Sequence, residues 1–401
     1  EVMLKHPDVD WVIRGEGEGP LIELLKAFEK GERVEQISGL GHKQDGRLIL
    51  NPAGDPLPLE TLPFPDFNDF EPRPYLYEKK PLCFLMTSRG CPRRCTFCSV
   101  HQTFPGYRRR SVESVLSEMI LRYDQGYRVF DFEDDNLTYD QEAFKDLCLG
   151  IKRAFPPGSI ECLAMNGIAY PSLTPELLAN MKEAGFTHLN ISLVSYDRKV
   201  REKTGRPLGL DRYLAVVGQA FRLGFQIVSY QILGLPEEPL DSMIRTMQFQ
   251  ARLPVLLGPS PYYATPGTLL SRKFPEPTES DLLKSRLTAL AIESEDCRRE
   301  DLYTLFISTR IINFFKGLTL SENQITLPRA LKDARNQGKR AALGAELFEK
   351  LLAQGTLYGA APDRFRELPR FNAKLFFALW AGLGYIQTQE SKIIQISPGR
   401  N

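Results

Sequence analysis

Between residues 81 and 264, short apolar runs alternate strictly with amphipathic helical stretches, and this alternation limits the fold more than any other feature. Leu82 to Thr87, Val129 to Phe132, Ile160 to Met165, His188 to Val194, Gln226 to Leu233 and Pro261 to Ala264 read as strands. Residues at helical spacing separate them: Val112, Val115, Leu116, Met119 and Ile120; Phe144, Leu147, Cys148 and Ile151; Leu177, Leu178 and Met181; Tyr213, Leu214, Val217 and Phe221; Met243, Ile244 and Met247. Ser111 supplies an N-cap, and Thr174-Pro175 supplies a cap followed by proline at the first helical position. Six strands joined by five helices imply parallel pairing with right-handed crossovers. The order fits an open doubly wound sheet or a partial barrel. In both, chemistry gathers at the carboxyl ends of the strands.

The loops at those ends are polar and rich in glycine. They carry, in order, Arg89-Gly90-Cys91 to Cys98, Glu133-Asp134-Asp135-Asn136, Asn166-Gly167, Ser195-Tyr196-Asp197, Gly234-Leu235-Pro236-Glu237-Glu238 and Thr265-Pro266-Gly267-Thr268. Their convergence on one rim favours an enzyme over a structural module.

The first of these loops is the most specific signal. Cys91-Pro-Arg-Arg-Cys95-Thr-Phe-Cys98 has the spacing C-x3-C-x2-C, so three thiolates can converge on one metal centre. A complete iron–sulfur cube takes four thiolates, and no fourth cysteine follows at a matching interval. One iron would then be open to a reactive ligand. The competing reading is a structural zinc site with His101 as the fourth ligand, although such sites usually join two separated ligand pairs. Cys83, Cys148 and Cys162 fall on strand or helix faces and read as core, as does Cys297.

Seven cysteines, an odd and sparse set, do not form a secreted disulfide framework, and a reducing cytoplasm fits better. A formal net charge of +1 points to neither a nucleic acid nor an anionic membrane as partner. The uncharged stretch near Leu375 is too short to span a bilayer, which needs about 20 apolar residues.

Upstream, Asp10 to Ile13 reads as a strand, Arg14 to Pro20 as a flexible turn, and Leu21, Ile22, Leu24, Leu25 and Phe28 as a helix face. One strand and one helix make no core alone, so residues 1–30 read as the last unit of a larger α/β domain. The chain begins at Glu1 rather than Met, in keeping with a fragment. Residues 31–75 read as a linker, with a hairpin signal at Gln44-Asp45-Gly46-Arg47 and the proline-rich Leu62-Pro63-Phe64-Pro65-Asp66-Phe67. Residues 76–275 form the alternating core, and 276–401 read as mainly helical.

With Phe97 as the aromatic of C-x3-C-x-aromatic-C, the sequence resembles the radical S-adenosylmethionine (SAM) superfamily over about residues 80–270. The resemblance implies a partial (β/α)6 TIM-like barrel. It implies a 4Fe–4S cluster on Cys91, Cys95 and Cys98, with SAM bound at the open iron and cleaved to a 5′-deoxyadenosyl radical. It assigns Asp134 and Asp135 to the methionine amino group, and Asn166 and Ser195 to the methionine carboxylate and the ribose. Ile232 and Gly234 are assigned to the adenine. Arg201, Lys203 and Arg206 are candidates for the carboxylate. Two positions depart from the pattern: Tyr230 stands where the fifth strand has its first glycine, and Val194 where many members have Glu.

Val9 to Glu18 and the proline-rich linker are similar to the group in which a cobalamin-binding domain precedes the radical domain. Its members methylate, contract and cyclise. No Asp-x-His-x-x-Gly motif occurs in these 401 residues, so cobalamin is expected only with an upstream region. The implied partners are a small or peptidic substrate and a flavodoxin- or ferredoxin-like reductant. The rival readings are a tRNA methylthiotransferase and a non-catalytic, zinc- or cluster-stabilised binding module.

Overall fold

The computed structural model describes residues 3–69, 75–207, 209–284, 293, 297–361 and 365–396. Six strands curl into a half barrel in chain order: Lys80–Leu85, Val129–Phe132, Glu161–Leu163, His188–Val194, Gln226–Leu233 and Leu256–Pro261. The first three pair in parallel, as do the last three. Parallel bridges from Cys162 to Phe186 and from Ile168 to Ile191 carry the curl between the halves. Helices Val112–Asp124, Gln141–Ala154, Pro175–Glu183, Leu210–Arg222 and Leu240–Ala251 return the chain between strands. Ser111 and Thr174 cap their helices through side-chain oxygens, as their residue types predict.

Alternation within each strand separates two faces. Phe130, Phe132, Cys162, Leu189, Ile191 and Leu193 are buried beneath the helices, and Cys83 and Cys148 lie in the same core. The residues between them, including Asp131, Asn190 and Tyr230, fall on the concave inner face.

The sixth strand departs from expectation. It runs Leu256–Pro261, not Pro261 to Ala264. Gly258, Pro259 and Pro261 make it read as a loop, yet an outer strand tolerates proline because only one side must pair. Pro259 and Pro261 are two residues apart, so both turn the side without an N–H away from the fifth strand, while Tyr262 N–H bonds Leu233 O. On the free edge, the Asn313 amide donates to Leu257 O (2.8 Å) and accepts from Leu257 N (2.9 Å), replacing a neighbouring strand.

Asn313 belongs to helix Arg299–Lys316, which leads the C-terminal region. Helices Leu327–Arg335, Lys339–Gln354 and Ala373–Ala381 follow. Short strands also occur there: Gln324–Thr326, Tyr385–Gln387 and Ile393–Gln395 in one sheet, and Tyr358–Ala360 with Phe365–Glu367 in another. Each has three residues, too few for a period of two to register. Cys297 is buried in the core this region shares with Leu233, Met243 and Leu257 of the barrel.

Upstream, strand Trp11–Ile13 precedes helix Glu18–Lys30 as expected. The strand pairs antiparallel with Leu40–Gln44, which forms a hairpin with Arg47–Leu50. One sheet therefore crosses the expected boundary at residue 30, because the hairpin edge satisfies backbone groups that a lone strand would leave open. The helix buries Leu24 and Ala27 but leaves Leu21, Ile22, Leu25 and Phe28 exposed, with Trp11 packed edge-on against Phe28. Among the described residues, no helix is long and apolar enough to cross a membrane.

Candidate functional site

The cysteine loop leaves the carboxyl end of the first strand and is closed at its base by a two-residue ladder, Ser88–Arg89 against Arg108–Arg109. Gly90 sits inside that closure at φ +84°, and a Cβ there would lie 1.8 Å from Gly106 O. Only glycine fits this approach of two backbones. Cys95 is buried, and Cys91 and Cys98 are half-buried. Burial is the main influence on the Cys98 thiol and pushes it above the ordinary range.

The run after the second strand braces this loop step by step. Asp134 accepts from Thr87 Oγ1 (2.6 Å), Ser88 Oγ (2.5 Å) and Thr87 N (3.1 Å). Asp135 accepts from Gly90 N (2.9 Å). Asn136 Nδ2 donates to Cys91 Sγ (3.3 Å). Asp134, expected at a methionine amino group, is 2% exposed and braces the loop through Thr87 and Ser88. Residue type marks a carboxylate but not its direction, and its partners, at the end of the neighbouring strand, are more than 40 residues away in sequence. Asp135 is half-buried, with one oxygen committed to Gly90.

A second clasp comes from the segment after the fourth strand. Thr96 N bonds Thr204 O (3.3 Å), and Leu270 N from the sixth-strand loop bonds Thr96 O (3.0 Å). Gly205, at φ +75°, lies against Arg94 O and Cys95 Cα, where a side chain would crowd the loop. Arg206 Nε then donates to Cys95 Sγ at 3.0 Å. The expected carboxylate contacts divide accordingly: Lys203 pairs with Glu237 (2.9 Å), Arg201 donates to Ser195 O (3.0 Å), and Arg206 turns to the cysteine.

The other assigned positions also separate. Asn166 is exposed on the rim, on a turn fixed from below. Asp131 Oδ1 accepts from Met165 N (2.9 Å), while Asn190 Nδ2 (3.3 Å) and Tyr230 OH (3.2 Å) donate to Met165 O. Ser195, expected near the methionine carboxylate or the ribose, is fully buried and donates to Glu238 Oε1 (2.7 Å). Phe97 and Ile232 both pack on the small core of Val194, Val200, Leu235, Tyr262 and Leu270. Gly234 N points to Met243 Sδ, and its Cα faces Leu302. Tyr230 keeps its ring between Gly167 and Gly258, where a Cβ on Gly258 would lie 2.4 Å from the ring. These two glycines create the room that the missing fifth-strand glycine would otherwise supply.

The donor set fits an iron–sulfur cluster. Three thiols share one loop, and N–H donors aim at two of the sulfurs, as a thiolate requires. Among the described residues, no three Cys, His, Asp or Glu side chains are gathered to hold a single metal ion. The signal for Asn136 and Arg206 as sulfur donors was in the sequence only as polar residues near two strand ends.

A parallel half barrel with a three-thiol loop on its carboxyl rim is the architecture of a radical SAM domain. Residues 85–249 match the model of the Radical SAM superfamily. An uncharacterized methyltransferase of Pyrococcus horikoshii is 29% identical over 63% of this chain and 55% of its own length. A cytidylyl-2-hydroxyethylphosphonate methyltransferase of Streptomyces wedmorensis is 27% identical over 58% of this chain and 49% of its own. The chain spans about half the length of these curated relatives. In structure, it resembles the radical SAM methyltransferase TsrM of Kitasatospora setae, solved with cobalamin and a 4Fe–4S cluster. The TM-score is 0.58 at 19% identity, covering 68% of this chain and 55% of that one.

Proposed function

We propose that Cys91, Cys95 and Cys98 hold a 4Fe–4S cluster at which SAM is reductively cleaved, and that the full protein uses the resulting radical chemistry in methyl transfer or cyclisation. The observation that carries this reading is the loop itself: three thiols, two of them met by side-chain N–H donors, on the carboxyl rim of the half barrel. When bound, the cluster supplies a low-potential electron and an iron open to the methionine end of SAM.

The protein's own residues provide position and shelter. Gly90, Asp134 and Asp135 fix where the loop leaves the first strand. Asn166 stands exposed on the rim for the polar end of the cofactor, and Phe97 and Ile232 present an apolar wall. Asp131, Asn190 and Tyr230 hold the turn that carries Asn166. The similarity to methyltransferases, and to a radical SAM methyltransferase solved with cobalamin, supports a protein that works with cobalamin. A reductant and a small or peptidic substrate complete the reading, and a net charge of +1 favours neither a nucleic-acid substrate nor a tRNA-modifying role.

Anaerobic reconstitution with iron and sulfide tests it. The wild-type chain should bind about four irons, absorb broadly near the visible blue, and release 5′-deoxyadenosine and methionine from SAM with dithionite as the electron source. Cys91→Ala should lose most of the iron and all of the cleavage. A colourless chain holding one zinc would overturn the proposal.

A further inference from the structure

Two side chains outside the cysteine triad point hydrogen-bond donors at its sulfurs. Arg206 Nε lies 3.0 Å from Cys95 Sγ, and Asn136 Nδ2 lies 3.3 Å from Cys91 Sγ. They come from different strand ends, Asn136 from beyond the second strand and Arg206 from beyond the fourth. Neither contact is a surface accident. Asn136 is 5% exposed, and Cys95 is 4% exposed. Arg206 is held on its turn by its own N–H to Arg201 O (2.7 Å), and Gly205 lets that turn lie against the backbone of Arg94 and Cys95.

The two donors differ in kind. A guanidinium is positively charged at every working pH, so its bond to a thiolate is charge-assisted and the stronger of the two. The Asn136 amide is neutral and contributes a dipole. Adding one electron to an iron–sulfur cluster adds one negative charge, which spreads onto the thiolate sulfurs. A donor that withdraws density from a sulfur stabilises the reduced state more than the oxidised one, and a nearby full positive charge does so further. The effect survives because Cys95 is shielded from water and salt.

We propose that Arg206 and Asn136 are positioning residues that raise the reduction potential of the cluster, with Arg206 the larger contributor through Cys95. The inference rests on the cluster assignment above. No atom is transferred: one electron enters from an external low-potential donor, and the guanidinium keeps its protons. The thiol of Cys98 has no side-chain donor among the contacts described, so tuning is unequal around the loop and concentrated on the side facing the fourth strand.

The test compares wild type with Arg206→Gln, Arg206→Lys and Asn136→Leu after anaerobic reconstitution, using dithionite with redox mediators and following the reduced cluster by electron paramagnetic resonance. Iron and sulfide per chain are measured first. In Arg206→Gln the reduction equilibrium should shift about tenfold toward the oxidised state, about 59 mV downward for one electron. Arg206→Lys, which keeps the charge but not the directed N–H, should fall between. Asn136→Leu should shift less than Arg206→Gln in the same direction. If Arg206→Gln binds full iron with an unchanged potential, the inference is wrong. If that variant loses its cluster, unchanged potentials in both Arg206→Lys and Asn136→Leu overturn it equally. A wild-type chain that binds no cluster refutes the earlier assignment instead, which separates the two failures.

Discussion

Lys316 shows how one residue can tie two parts of the molecule together. It ends helix Arg299–Lys316 and is 1% exposed. Its ammonium donates to Ala251 O (2.9 Å), Leu253 O (2.7 Å) and Gln387 O (2.7 Å). Burial pulls the group down from the ordinary lysine range, while three carbonyls take all three of its protons. Two of those carbonyls close the last crossover helix, where the backbone dipole also favours a cation. Lys316→Met should therefore remove three hydrogen bonds, with Leu253 O keeping the one from Val255 N, and destabilise the protein by about 3 kcal/mol, seen as a lower urea midpoint with an unchanged slope. Nothing in the sequence marks this lysine, because a lysine at a helix end reads as a solvated terminal charge. The same limit applied to Asp134 and Ser195. Their residue types were compatible with a ligand, but each is consumed by partners more than 40 residues away in sequence.

At the scale of elements, the cysteine loop depends on its closure more than on its own composition. Gly90→Ala would place a carbon against Gly106 O and demand a left-handed backbone from alanine. The expected outcome is loss of bound iron after reconstitution, with a far-ultraviolet circular dichroism spectrum like that of wild type. Retained iron would show that the ladder can open without releasing the thiols. The five crossover helices and the first five strands were legible because parallel strands buried on one face read as apolar runs between helical periods. The sixth was not, because its glycine and prolines carry the signature of a turn while an asparagine from another helix finishes its edge. Asn313→Ala should expose that edge and lower the stability by about 1–2 kcal/mol, seen as a lower urea midpoint.

At the scale of the whole molecule, buried acids couple stability to pH. Glu238 is 1% exposed, and burial pushes its carboxyl up to about 7. Ser195 and Ser242 both donate to Oε1, leaving Oε2 buried without a partner. The folded chain thus binds a proton that the unfolded chain releases near its ordinary value of 4.5. Stability from this group is fully present below about pH 4.5 and is lost as pH rises to about 7, a change on the order of 3 kcal/mol. Glu133, also pushed to about 7 by burial and then by its contact with Asp131, adds a slope of the same sign. Urea unfolding from pH 5 to 8 should show stability falling, and Glu238→Gln should reduce that fall. An unchanged slope in the variant would assign the dependence elsewhere.

The turn and helix start after the first upstream strand meet the barrel through charge: Arg89 pairs with Glu16 (2.7 Å) and Glu18 (2.5 Å), and Arg108 also reaches Glu16. Both arginines belong to the ladder that closes the cysteine loop. The neighbouring brace has a consequence for anyone moving this loop between proteins. Asp134, Asp135 and Asn136 grip, in the same order, the end of the first strand, Gly90 and Cys91. The transplantable unit is therefore not the eight-residue cysteine motif but that motif together with the tail of the adjacent strand. A graft of the motif alone would arrive on its new host without the parts that set its registration.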